Sequence, residues 1–231
     1  MTGIDLARQL PLVRRLPPEE LDELGCERVE FAAGQWLLAP GEPATAVYGL
    51  LTGRVKVAQR TDSGSEFCVE LLGPGEVVGV LAAVSGRPCS VGALAIDATA
   101  AVRLRAEPFR DLVRRDPRLT SVVLDLLASR LEHTTTSLLS RQAERAPIRI
   151  ARVLLDLAGR FGVRRGGEIV FTDRLSRGDL AGLAGTTTET AIRVISRWTR
   201  GGVLRTAYSR ITLLKPEVLA RVVETGHDVA W

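Results

Sequence analysis

Residues 175–198 read LSRGDLAGLAGTTTETAIRVISRW, two short helical patterns on either side of a glycine. Ser176 followed three residues later by Asp179 is a capping-box pair, and it predicts a helix whose inner side is Leu180, Leu183 and Ala184. Gly185 supplies the turn. A second helix starting at Thr186 or Thr187 then buries Ala191, Val194, Ile195 and Trp198 at helical spacing. Its opposite face carries Thr188, Glu189, Arg193, Arg197 and Arg200, the arrangement that a recognition helix requires. In the major groove an arginine can donate two hydrogen bonds to guanine O6 and N7, and a glutamate can accept from cytosine N4. Glu189 and Arg193, one turn apart, are therefore expected to read bases. Arg177, Arg197 and Arg200 are better placed to hold phosphates. A capping box between Thr186 and Glu189, or an i,i+4 pair between Glu189 and Arg193, would account for the same residues on any exposed helix.

Downstream, Gly201–Leu204 and Ile211–Leu214 read as two strands joined around Tyr208-Ser209, a wing that offers Arg205 and Arg210 to the DNA backbone. Upstream, Ala146-Pro147 marks a boundary. Beyond it, Ile150, Val153, Leu154, Leu157 and Phe161 outline an amphipathic helix, and a glycine-rich stretch leads into a strand at Ile169–Phe171. Before it, Asp116-Pro117 opens a long helix with Val123, Leu127, Leu131, Thr134 and Leu138 along one stripe. That stripe is longer than one small domain needs, so Val123, Leu127, Leu131 and Leu138 are expected to form a seam between two subunits.

Residues 27–105 read as short strands between turns. Alternation puts Phe67, Val69 and Leu71 on one face, and Arg54–Val57 and Val102–Arg105 repeat the pattern. Such strands suggest a small antiparallel barrel or sandwich. The expected fold is α+β in three parts: residues 1–115, a sensor β-barrel with N-terminal helices; 116–145, a dimerisation helix; and 146–231, a winged helix-turn-helix.

Charge follows this division. Residues 1–140 carry 15 Lys/Arg and 18 Asp/Glu, whereas residues 141–231 carry 16 and 9, so the basic end is the one suited to a polyanion. With no apolar run near the roughly 20 residues a bilayer needs and no signal-peptide pattern, a cytoplasmic protein without membrane contact is expected. Cys26, Cys68 and Cys89 have neither CxxC nor zinc-ligand spacing and read as small hydrophobes. No catalytic constellation appears. The stretch Gly73–Gly79 has GxGxxxG spacing between strands, unlike a dinucleotide loop.

The chain resembles the Crp/Fnr superfamily of bacterial transcription regulators over nearly its whole length. The matching segments are GEPATAVYGLLTGRVKV (41–57), LLGPGEVVG (71–79), RIARVLLDLA (149–158) and DLAGLAGTTTETAIRVISRW (179–198). The resemblance implies a cyclic-nucleotide-binding-like barrel and a homodimer on double-stranded DNA. It also implies a palindromic operator with a TGA core, RNA polymerase as a partner and an activating role. It makes Glu189 and Arg193 base readers, with Thr188 beside them, and puts Ser176, Arg177, Thr187, Arg197, Arg200 and Arg210 at the DNA backbone.

In cyclic-AMP-binding members a Gly-Glu and an Arg-Ser pair hold ribose and phosphate. Here the matching positions are Gly79-Val80 and Cys89-Ser90, so both charged partners are lost. Leu81, Arg87 as a substitute cation, and Thr134 and Thr135, matching a Thr-Ser pair that reaches the base, complete the candidate effector pocket. Cyclic AMP in the usual pose is not expected. An iron–sulfur cluster lacks its N-terminal cysteines, and haem lacks barrel histidines, since the two in the chain are His133 and His227. The effector is unknown or absent, and no metal or cofactor is expected. A cyclic-nucleotide-binding regulatory module that does not touch DNA is the alternative reading.

Overall fold

The computed structural model describes residues 2–60, 66–171, 175–207 and 210–228. The chain forms two compact units, Met1–His133 and Thr134–Trp231. The first contains α1 (Gly3–Ala7), α2 (Pro18–Glu23), β1 (Glu27–Phe31), β2 (Trp36–Leu38), β3 (Ala46–Thr52), β4 (Val55–Arg60), β5 (Glu66–Leu72) and β6 (Val77–Val78). It continues through α3 (Val80–Ser85), β7 (Gly92–Ala95), β8 (Thr99–Arg105) and α4 (Ala106–Arg115), and α5 (Pro117–Ala143) runs on from it into the second unit.

Two four-stranded antiparallel sheets, ordered β1-β8-β3-β6 and β2-β7-β4-β5, take the place of a closed barrel. Alternation sorts their side chains into two cores. Ala46, Tyr48 and Leu50 of β3 meet Val55, Leu72, Ala93 and Ala95 in one cluster. Val47, Val77, Val102 and Leu104 belong to a second, under α1, α2, α4 and the first turns of α5. Gly49 lies in this second layer's path, and any side chain there would collide with Leu10.

The β5 pattern departs from simple alternation. Val57 pairs with Glu70 but Ala58 pairs with Cys68, a bulge that leaves Val69 unmatched and shifts the parity. Cys68 is consequently buried, while Phe67 and Val69, on the face opposite to Cys68, are 42% and 41% exposed and Leu71 is buried.

The buried Asp116 carboxylate accepts the Arg118 N–H at 2.9 Å and so caps α5, a helix of 27 residues. Val123 is buried in the first unit's own core and Leu127 packs against it, so Val123 is not available to a second subunit. Each residue turns a helix by about 100°, and that step carries the adjacent Leu124 away from the core. Leu124, Leu131 and Leu138 are 61%, 67% and 55% exposed. They recur every seven residues, the spacing of a coiled-coil seam.

The second unit contains α6 (Ala146–Phe161), β9 (Val163–Arg165), β10 (Glu168–Phe171), α7 (Arg177–Leu183), α8 (Thr188–Arg200), β11 (Leu204–Ala207), β12 (Arg210–Leu213) and α9 (Pro216–Thr225). Its sheet is ordered β11-β12-β10-β9. The wing hairpin begins later than the sequence suggests, because Gly201–Val203 forms the turn that leaves α8. Its tip, Tyr208-Ser209, lies outside the described residues. The glycine-rich stretch contains a strand of its own, β9, paired with β10.

Phe109, on α4, is fully buried in the helical layer of the first unit. Phe109→Ala is expected to cost about 3–5 kcal/mol, read as a lower urea midpoint for loss of far-ultraviolet circular dichroism.

Candidate nucleic-acid interface

Ser176 and Asp179 form the expected capping box: the Asp179 N–H donates to Ser176 Oγ at 2.9 Å, and the Ser176 N–H donates to Asp179 Oδ2 at 3.2 Å. The helix is thereby started where the sequence places it. Gly185, at φ +59°, turns the chain, and the Thr186 N–H closes back on Ala181 O at 2.9 Å. Two arginines outside the motif hold this turn: Arg149 donates to Ala184 O at 2.8 Å and Gly185 O at 3.1 Å, and Arg141 reaches Gly182 O at 3.5 Å. Helix-turn-helix spacing alone does not reveal them, because both lie upstream of Leu175.

The second helix is capped by Thr187, whose hydroxyl accepts the Thr190 N–H at 3.2 Å. A Thr186–Glu189 box is therefore not the capping arrangement. Ala191, Val194, Ile195 and Trp198 are buried. The exposed face consists of Thr188, Glu189, Ile192, Arg193, Ser196 and Arg200. Ile192, 47% exposed, and Ser196 were not singled out in the sequence, although Ile192 stands three residues after Glu189 on the same face. The Glu189 carboxyl is held below its ordinary pKa by its own backbone N–H and then by the Thr187 hydroxyl, so it stays an acceptor.

The expected backbone-binding cations fall into two groups. Arg200 and Arg210 are exposed, as is the expected base reader Arg193. Arg177 is half-buried at the start of α7; burial lowers its pKa, and its Nη1 has no hydrogen-bond partner among the described residues. By contrast, Arg197 is ion-paired with Asp228, and Arg205 is paired with Glu168 at 2.8 Å. Both partners lie over thirty residues away in sequence, so local pattern could not disclose them.

Comparison with known proteins agrees with this geometry. Residues 28–116 match the cyclic nucleotide-binding domain family and residues 148–222 match the Crp-like helix-turn-helix domain. The chain is 30% identical over 193 residues to the CRP-like cAMP-activated global transcriptional regulator of Mycobacterium tuberculosis, covering 84% of this chain and 86% of that one. It belongs to the Crp/Fnr superfamily of bacterial transcription regulators. It is accordingly a DNA-binding transcription regulator.

Another Crp/Fnr relative, the cyclic AMP receptor protein of Thermus thermophilus, is 29% identical, with 92% of this chain and 96% of that one covered. A solved CRP/FNR-family regulator from the same bacterium superposes with a TM-score of 0.72 at 26% identity, covering 86% of this chain and 98% of that one.

In this Crp/Fnr regulator the sensor residues implied by resemblance differ in exposure. Gly79, at φ +88°, starts α3; Val80 is buried in the helix-side core and Leu81 is 58% exposed. Arg87 and Ser90 are exposed. Cys89 is buried with its backbone bonded to Gly41 and Glu42, and burial, then the Glu42 charge, raises its thiol pKa. A poised thiolate is thus disfavoured at that position. Thr134 and Thr135 are exposed on α5. A cleft of about 310 Å³ lies beside the helix-side core, lined by Pro11, Leu12, Val77, Leu126, Arg130 and His133 among others.

Proposed function

We propose that the regulator binds as a homodimer to a palindromic operator, with two copies joined along α5 through Leu124, Leu131 and Leu138 and one α8 helix placed in each of two major grooves. The observation that carries this is the exposed face of α8, where Thr188, Glu189, Ile192 and Arg193 stand together above a fully buried Trp198. Arg193 donates to a guanine, Glu189 accepts from a cytosine, and the Ile192 side chain suits a thymine methyl, a set consistent with a TGA core. Ser176, Arg177, Thr187, Arg200 and Arg210 hold phosphates on either side. Half-sites lie about one DNA turn apart, and RNA polymerase is the protein partner at activated promoters in the cytoplasm.

Pairing along α5 gives the leucines a role that their exposure otherwise lacks. Each one, already partly covered, contributes about 1–2 kcal/mol when withdrawn from water, before the cost of association. Leu131→Asp is expected to produce monomers at micromolar concentration in sedimentation and to weaken operator binding with them. Dimers that persist with full DNA affinity would refute the seam.

Base reading by Glu189 is checked by selecting binding sites from random DNA. Glu189→Ala should relax preference at one position of each half-site by about 1–3 kcal/mol. An unchanged profile would leave Glu189 an exposed first-turn residue that reads no base.

Cyclic AMP is not the effector in a phosphate-clamped pose. Val80 and Cys89 offer neither carboxylate nor guanidinium, and a ligand shifts a conformational equilibrium only through differential contacts. Calorimetry with cyclic AMP should show no binding tighter than roughly 0.1 mM. Micromolar affinity accompanied by stronger operator binding would overturn this and point to Arg87 as the replacement cation.

A further inference from the structure

Arg149 sits in the first turn of α6, yet its side chain serves two other helices. Nε donates to Ala184 O at 2.8 Å and Nη2 to Gly185 O at 3.1 Å, the carbonyls that end α7 and form the motif's turn. Nη1 donates to Glu144 O and reaches Arg141 O at 3.5 Å, the carbonyls that end α5. The C-terminal turns of helices leave carbonyls without intrahelical donors and carry partial negative charge. A guanidinium, with its donors fixed in one plane, can satisfy two such ends at once, which the single ammonium of lysine cannot do in the same geometry.

Neighbouring side chains stiffen the joint. Arg141 lies across Gly185, where any side chain would collide with it, and Glu144 is paired with Arg152 of α6. Leu138 and Leu139, 55% and 61% exposed, are one turn or less upstream of Arg141 on α5. The last stretch of the proposed seam is therefore tied, through Arg149 together with Arg141, to the turn that aims α8.

We propose that Arg149 sets which half-site spacing the regulator accepts, by fixing the offset of each recognition helix from the dimer axis. The proposal rests on the dimeric reading above. One base pair added between half-sites moves the second by about 3.4 Å and turns it by roughly 35° about the duplex axis. A firmly tied recognition helix cannot follow that displacement, whereas a loosened one can. Arg149 contacts no base in this scheme and leaves half-site sequence preference alone.

The test uses an operator selected from random DNA by the full-length wild-type protein, together with versions one base pair shorter and longer at the centre. Binding is measured by fluorescence anisotropy for wild type, Arg149→Gln and Arg149→Lys. Wild type should lose at least about tenfold on the altered spacings, Arg149→Gln less than about threefold, and Arg149→Lys an intermediate amount. Single-base changes within a half-site should cost all three proteins the same factor. If Arg149→Gln weakens every spacing equally, with wild-type ratios kept, Arg149 supports folding only and the proposal is overturned. Should that variant fail to fold by circular dichroism, Arg149→Lys and Arg141→Met decide the matter, and wild-type ratios in both refute it. Wild-type protein that binds an isolated half-site as tightly as the palindrome would refute the dimeric reading itself, and this proposal with it.

Discussion

The burial of Trp198 governs what the DNA-binding unit can present. The residue is fully buried, and its indole N–H donates to Asp228 Oδ1 at 3.1 Å, so α8 has one allowed rotation about its own axis. Glu189 precedes it by nine residues and Arg193 by five. At about 100° per residue these fall roughly 180° and 140° around the helix from the indole. The outward direction of the candidate readers is thus a consequence of what is hidden, and the same Asp228 that receives the indole also holds Arg197.

A similar division of labour runs along α5. Its first turns give Leu119 and Val123 to the core beneath the sheet, while Leu124, Leu131 and Leu138 remain at the surface. One helix can serve a private core and the proposed seam only because the two sets of residues differ in angular position. Farther on, its terminal carbonyls become acceptors for Arg149, so the helix is used on its sides and at its end.

The parts of this structure legible from sequence were those fixed by neighbours in the chain. The Ser176–Asp179 box, the Gly185 turn, the Asp116 cap and the buried side of α8 all follow from spacings of a few residues. What local spacing does not show involves distant partners or a change of parity. Val123 fits a helical stripe as well as Leu124 does, and only the sheet beneath it decides which one is covered. The pairing of Arg197 with Asp228 and of Arg205 with Glu168 depends on elements distant in sequence, so local spacing does not disclose it. In the sensor unit, Val80 packs into the helix-side core and Cys89 is buried with its backbone bonded to Gly41 and Glu42, contacts that motif spacing does not disclose.

The bulge at Val69 has a further consequence. β5 is the outer strand of its sheet, and an outer strand offers unpaired backbone groups to any extended chain that meets it. Here it also displays Phe67 and Val69 to water, a combination that in a flat, regular strand would favour edge-to-edge polymerisation. An extra residue in the ladder breaks the repeat and twists the strand locally, so a second copy finds no continuous register to extend. The irregularity that defeats a period-two reading of the sequence is therefore also a safeguard against uncontrolled strand pairing at this edge.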